Sequence, residues 1–150
     1  MANPIYTAEA TVNGGRIDGH GRTSDGELDV QLRPPKAAGG EGGGTNPEQL
    51  FAVGYAACFQ GALATVGRRR KLEIGDVSIE SRVSLVAGPD RSFGLEVGLD
   101  VTLPGIDDPA EAADIVAAAH RICPYSNAIR GNVEVDLTAN GERVGEAPVA

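Results

Sequence analysis

Leu95, Val97, Leu99, Val101 and Leu103 alternate with non-core positions without a fault, the two-residue period of a strand with one buried face. Val77, Ile79, Val83 and Leu85 make a second such run, and Gly88-Pro89-Asp90 between them predicts the turn of an antiparallel hairpin. Residues 4–12 (PIYTAEATV) alternate and contain β-formers, which predicts a strand. Residues 13–26, rich in Gly, Asp and Ser, read as a hairpin connection or a ragged strand pair. Leu28, Val30 and Leu32 predict a further strand that Pro34-Pro35 ends, and Val133, Val135 and Leu137 a last one.

Between these runs the period changes. Asn46-Pro47-Glu48-Gln49 is a helix start: Asn46 caps, Pro47 suits the first helical position and Gln49 completes a capping box. The helix runs to about Arg70. Its middle is apolar nearly all round, so it is expected to be central and buried on most sides. Asp107-Asp108-Pro109 starts a second helix, with Glu111 and Asp114 favouring its N-terminal half; it ends near Ile122 because Pro124 disfavours helical geometry at Cys123. A short helical turn is expected over residues 126–129. Strands, long helix, strands, helix, strand is the order of an α+β fold, with antiparallel sheets packed around a long central helix. Without repeat or linker, residues 1–150 read as a single domain.

Composition narrows the function classes. The 150 residues are 41% hydrophobic but only 4% aromatic, with no Trp, so the core rests on Val, Leu, Ile and Ala and offers few platforms for stacking bases. A formal net charge of -8 repels phosphate backbones and anionic membranes; no nucleic-acid partner and no membrane are expected. Arg68-Arg69-Arg70-Lys71 is read as a helix C-terminus favoured by the macrodipole. Residues 50–67 have the length of a minimal membrane span, but three Gly, several Ala and Gln60 mark a buried core helix. Residues 1–20 lack a basic segment followed by an apolar one, so no secretory signal is read and a cytoplasmic location is expected. The Gly cluster of residues 36–44 lacks the Lys-Ser/Thr pair of a phosphate cradle and reads as a mobile loop.

The candidate chemistry lies in two cysteines, 65 residues apart (123 minus 58), which fit neither a C-x-x-C motif nor a zinc knuckle. Cys58 lies deep in the apolar helix. It is 12 residues past Asn46, about 18 Å along the axis, too far for the helix N-terminus to help ionise it. Burial alone raises a thiol's pKa, so a reactive Cys58 needs a cation brought in from elsewhere in the fold. Cys123 sits at the helix-to-Pro break of HRICPYSN, one turn after His120. In a reducing compartment a static disulfide is disfavoured, while a transient catalytic one is allowed.

Two long segments make a resemblance specific. TNPEQLFAVGYAACF (residues 45–59) resembles the nucleophile helix of the organic hydroperoxide resistance proteins, within the osmotically inducible protein C superfamily. HRICPYSNAIRGN (residues 120–132) resembles that family's second cysteine motif, and SDGELDVQL (residues 24–32) and FGLEVGLDVTLPG (residues 93–105) also match. The likeness runs from about Tyr6 to Leu137. It implies a thiol-dependent peroxidase for organic hydroperoxides, with Cys58 as peroxidatic and Cys123 as resolving cysteine. It implies Glu48 as the motif glutamate, and an arginine from the N-terminal strands. There the chain reads Gly19-His20-Gly21-Arg22, with His20 where the arginine is often found. A two-residue shift in a strand keeps the same face, so Arg22 is expected to serve the thiolate, oriented by Glu48, with Arg16 as the fallback. The resemblance further implies no bound cofactor or metal, and a lipoylated protein or dihydrolipoamide as external dithiol reductant.

Glu48 and Cys58 are ten residues apart, about 15 Å along a straight helix. One arginine hardly touches both unless the helix breaks, for instance at Gly54. A two-fold, intertwined homodimer with active sites at the interface answers the difficulty, and the resembling family is dimeric. Phe51, Tyr55, Phe59, Phe93 and Tyr125 each read singly as core, and together as a pocket for alkyl or fatty-acid hydroperoxides. The rival readings are a non-catalytic redox sensor, a metal-binding module using His20, His120, Cys58 and Cys123, and a plain structural domain.

Overall fold

The computed structural model describes residues 2–145. The chain divides into two compact units, Met1–Leu50 and Phe51–Ala150.

The first unit is a three-stranded antiparallel sheet of β1 (Ala10–Asn13), β2 (Gly19–Thr23) and β3 (Asp29–Leu32), in that order. The strand expected over residues 4–12 begins only at Ala10, because its partner ends: Ala10 faces Thr23, where the chain turns, the Gly26 amide donating to the Thr23 carbonyl. Beyond β3 the two prolines cannot donate to a ladder. A single 3-10 turn at Lys36–Ala38 follows, and Thr45 returns beside β3, its amide donating to the Gln31 carbonyl at 2.8 Å. The Gly-rich segment is therefore an excursion closed at its base.

Asn46 then caps α1 (Pro47–Arg70), its Oδ1 accepting from the Gln49 amide at 2.9 Å. The Gln49 side chain does not complete the expected capping box; it accepts from the Thr45 hydroxyl at 2.8 Å instead. The helix is unbroken at Gly54.

The second unit adds to α1 the strands β4 (Ser78–Ala87) and β5 (Phe93–Thr102), the helices α2 (Pro109–Ile122) and α3 (Pro124–Ile129), and the strands β6 (Val135–Ala139) and β7 (Glu142–Arg143). The sheet order is β4-β5-β6-β7. The expected hairpin forms over ten residue pairs, from Ser78 opposite Thr102 to Ala87 opposite Phe93. β6 departs from the antiparallel expectation: it runs parallel to β5, Leu99 beside Leu137. The two helices between these strands form the crossover that a parallel pair requires.

The core lies between this sheet and the helices. α1 contributes Tyr55, Phe59, Leu63 and Val66, β5 Val97, Leu99 and Val101, α2 Ala112, Ile115, Val116 and Ala119, and β6 Leu137 and Ala139. The buried positions of α1 follow a three-to-four spacing and make one stripe. The expectation of burial on most sides fails for the single chain: Val53 is 73% exposed. By length and composition alone α1 would pass for a membrane span.

Asn140 pins the entry to the crossover. It adopts φ 49°, in the left-handed region that Asn tolerates better than other side-chain-bearing residues. Its Oδ1 accepts from the Leu103 amide at 2.7 Å, and its Nδ2 donates to the Leu103 and Ile106 carbonyls. Two residues on, Asp108 caps α2. Asn140→Ala loses these bonds and strains the backbone, and is expected to cost about 2–4 kcal/mol in urea unfolding. Asn140→Gly is expected to recover about 1 kcal/mol of that loss by relieving the strain alone.

Candidate active site

Cys58 and Cys123 meet. Their sulfurs lie 3.6 Å apart, and both are free thiols. The reason is local at each end. Cys58 lies on α1 one turn after Tyr55, half-buried against the core. Cys123 is the single residue between α2 and α3. Its amide still donates to the Ala119 carbonyl, but its ψ of 124° is extended, as the following proline demands. Its carbonyl accepts the first bond of α3, from Asn127 at 2.9 Å. A disulfide requires about 2.0 Å between sulfurs, so the pair is in contact and short of bonding.

Burial pushes the Cys58 thiol above its ordinary pKa, and the neighbouring Cys123 adds to the effect; the Tyr125 backbone amide acts in the opposite sense. Among the described residues of the second unit no cation offsets this rise. Burial therefore acts on Cys58 in the direction read from the sequence, against ionisation.

Four of the five aromatic residues expected near Cys58 come together. Phe51, Tyr55 and Tyr125 form a mutual cluster with ring centroids 5.8–5.9 Å apart, and Phe59 joins through Tyr55 at 6.3 Å. Gly54 makes room: a Cβ there would lie 3.1 Å from the Tyr125 hydroxyl. Phe93 is not brought in. It begins β5 at the end of the hairpin, 75% exposed.

A polar feature that the sequence reading missed lies beside the sulfurs. The Tyr55 hydroxyl and Ser126 Oγ are 2.7 Å apart, and Ser126 Oγ and His120 Nδ1 2.9 Å. Tyr55 and Ser126 are fully buried. Burial pushes the Tyr55 phenol up to about 12 and holds His120 below its ordinary value, helped by Arg130. Arg130 itself donates to the His120 carbonyl at 2.7 Å and to Asn127 at 2.6 Å. Ser126 stood in a motif already singled out, but nothing local in the sequence says which residue it meets.

In the first unit, Glu48 holds Arg16 and not Arg22. Nη2 of Arg16 donates to both carboxylate oxygens, at 2.6 and 2.7 Å. Arg22 is engaged elsewhere because the register of β2 and β3 sets it opposite Asp29; its Nε lies 3.3 Å from that carboxylate, which also meets His20 Nε2 at 2.5 Å. The expected Arg22–Glu48 pairing is thus corrected to Arg16–Glu48, and Arg16 lies in the turn between β1 and β2.

The residues named for a metal are otherwise occupied, His20 with Asp29 and His120 with Ser126. Among the described residues no three His, Cys, Asp or Glu side chains group as metal ligands do. An open cleft of about 990 Å³ borders His120, Ser126 and Arg130, with Arg82, Glu134 and Asp136 on its walls. Neither cysteine lines it.

A family model described as OsmC-like protein matches residues 40–138. The organic hydroperoxide resistance protein of Xanthomonas axonopodis pv. citri is 51% identical over 143 residues, covering 92% of this chain and 99% of its own. The organic hydroperoxide resistance protein OhrB of Bacillus subtilis is 46% identical over 134 residues, 89% of this chain and 96% of its own. Among solved structures, an organic hydroperoxide resistance protein from Legionella pneumophila superposes with a TM-score of 0.85 at 51% identity, over 91% of this chain and 98% of that one. The OhrB structure of Bacillus subtilis gives 0.81 at 47% identity, over 90% and 98%. The long helix and the sulfur pair thus sit in a fold shared with proteins of one name, and the chain belongs to the OsmC-like, organic hydroperoxide resistance family.

Proposed function

We propose that the protein is a cysteine-based peroxidase that reduces organic hydroperoxides to alcohols. The observation that carries this reading is the contact of two free thiols, 3.6 Å apart, in a fold whose relatives are named for organic hydroperoxide resistance. The Cys58 thiolate attacks the O–O bond. One oxygen stays on sulfur as a sulfenic acid, and the other leaves as alkoxide and takes a proton to become the alcohol. The Cys123 thiol then attacks the sulfenic sulfur. The S–S bond forms, and the sulfenic OH leaves with the thiol proton as water. An external dithiol, of the lipoyl type on the family likeness, returns both thiols by exchange and is itself oxidised to a disulfide.

The first step needs ionised sulfur. Arg16, oriented by Glu48, supplies the charge that the second unit lacks. It lowers the thiolate's energy and holds the peroxide oxygens. In this reading Arg16 and Cys58 come together in an intertwined homodimer, each site drawing on both subunits, in the cytoplasm. The cluster of Phe51, Tyr55, Phe59 and Tyr125 favours an apolar alkyl or fatty-acid chain on the substrate.

Cys58→Ser is expected to consume no tert-butyl hydroperoxide with dihydrolipoamide. Cys123→Ser should reduce one equivalent and stall. Continued turnover by Cys58→Ser ends the proposal, whereas a wild type that forms the disulfide but does not turn over would be a redox sensor.

Arg16→Ala is expected to lose about ten- to a thousandfold in the rate of thiol oxidation at neutral pH, the span of a one- to three-unit shift from a lost partner charge. The sign follows from the thiol: with its pKa raised, the thiolate fraction and the rate climb with pH. The variant should therefore keep gaining rate above the pH at which wild type levels off. Arg22→Ala should stay near wild type; the reverse ranking would return the role to Arg22. Mixing Cys58→Ser chains with Arg16→Ala chains should restore about a quarter of wild-type activity if subunits share sites, since half the dimers are mixed and each holds one intact site. No restoration under conditions of verified exchange would place both groups in one subunit.

A further inference from the structure

Tyr55, Ser126 and His120 stand in a regular relation to the two sulfurs. Tyr55 lies three residues before Cys58 on α1, His120 three before Cys123 on α2, and Ser126 three after Cys123 on α3. Each lies one helical turn from a cysteine. The three side chains are joined through one atom, Ser126 Oγ, at 2.7 Å from Tyr55 and 2.9 Å from His120. The chain is satisfied with Tyr55 donating to Ser126 and Ser126 donating to a neutral imidazole.

The corner at Cys123 is a single non-helical residue between two helices. Its angle sets where the Cys123 sulfur points, and the His120–Ser126 bond spans it. The Tyr55–Ser126 bond then fastens the corner to the helix that carries Cys58. The Tyr55–Ser126 bond is buried and the His120–Ser126 bond part-buried, and a partner severed in the interior is left unsatisfied. We propose that Tyr55, Ser126 and His120 form a positioning clamp that holds the resolving sulfur against the peroxidatic one and so sets the rate and equilibrium of disulfide formation.

The inference rests on the peroxidase reading and concerns only its second step. Holding two groups in near-attack geometry turns an encounter into a fast intramolecular event. Its effect is protective as well: a sulfenic acid that waits meets a second hydroperoxide, which gives up an oxygen to it, leaving as alcohol, and a sulfinic acid results.

Ser126→Ala cuts both bonds at once. After one equivalent of cumene hydroperoxide, it is expected to accumulate Cys58 sulfenic acid, trapped by dimedone and seen by mass spectrometry. Disulfide formation should be slowed about tenfold relative to sulfenic acid formation. The dithiol–disulfide equilibrium against a redox buffer should shift about tenfold toward the dithiol, or about 30 mV upward. Ser126→Thr, which keeps the hydroxyl, should restore both. Tyr55→Phe keeps the ring in the core and should show the same slowing where Ser126→Ala does not fold. Disulfide formation at wild-type rate and potential in Ser126→Ala or Tyr55→Phe overturns the clamp while leaving the peroxidase reading intact. Failure of wild type to form the Cys58–Cys123 disulfide with hydroperoxide overturns both.

Discussion

The site depends on what Pro124 does to Cys123. A proline cannot continue the helix of its predecessor, and the residue before it is pushed out of helical geometry. α2 consequently stops at Ile122, Cys123 turns extended, and α3 starts at once. This break carries a fully buried sulfur to the side of α1, where Cys58 waits at 3.6 Å. Were the helix to run on through residue 123, Cys123 would be one more position on its surface.

The rest of the second unit holds that corner in place. The crossover through α2 and α3 makes β6 parallel to β5, and the ends of the crossover are tied down. Asp108 caps α2, Asn140 bonds the loop ahead of it, and Arg130 ties the end of α3 to the His120 carbonyl. Ala112, Ala118 and Ala119 let α2 lie close to its neighbours, which a small, aromatic-poor core requires.

What was legible in the sequence was what is decided locally. The period-two runs located β4 and β5, and Asp108 with Pro124 bracketed α2 to the residue. The two cysteine segments pointed to the residues that meet. What was not legible depended on partners far along the chain. β1 begins only at Ala10 because β2 ends opposite it at Thr23, with a single further bond from the Ser24 amide to the Glu9 carbonyl. β7, two residues long, is too short to repeat even the two-residue period of a strand. The choice between Arg16 and Arg22 turned on strand register: Asp29, opposite Arg22, takes that guanidinium, and Glu48 is left to Arg16. Ser126 gave no sign of its two partners, because one lies 71 residues away.

The roles proposed for the two cysteines find support in their unequal exposure. Cys123 is fully buried and Cys58 only partly so, which makes Cys58 the more accessible sulfur and fits the peroxidatic role proposed for it. The same inequality bears on recycling. A dithiol that attacks the disulfide must strike the accessible sulfur and expel the other as the leaving thiolate. Attack at Cys58 releases Cys123, which recovers its proton in the interior, and a second exchange frees Cys58. In the proposed cycle one sulfur thus meets both oxidant and reductant, while the buried partner deals only with its neighbour. Such a proposed division suits a thiol whose pKa is raised by burial: on that reading it stays inert until a charge and a substrate are both present, and its oxidised form is answered from within the fold.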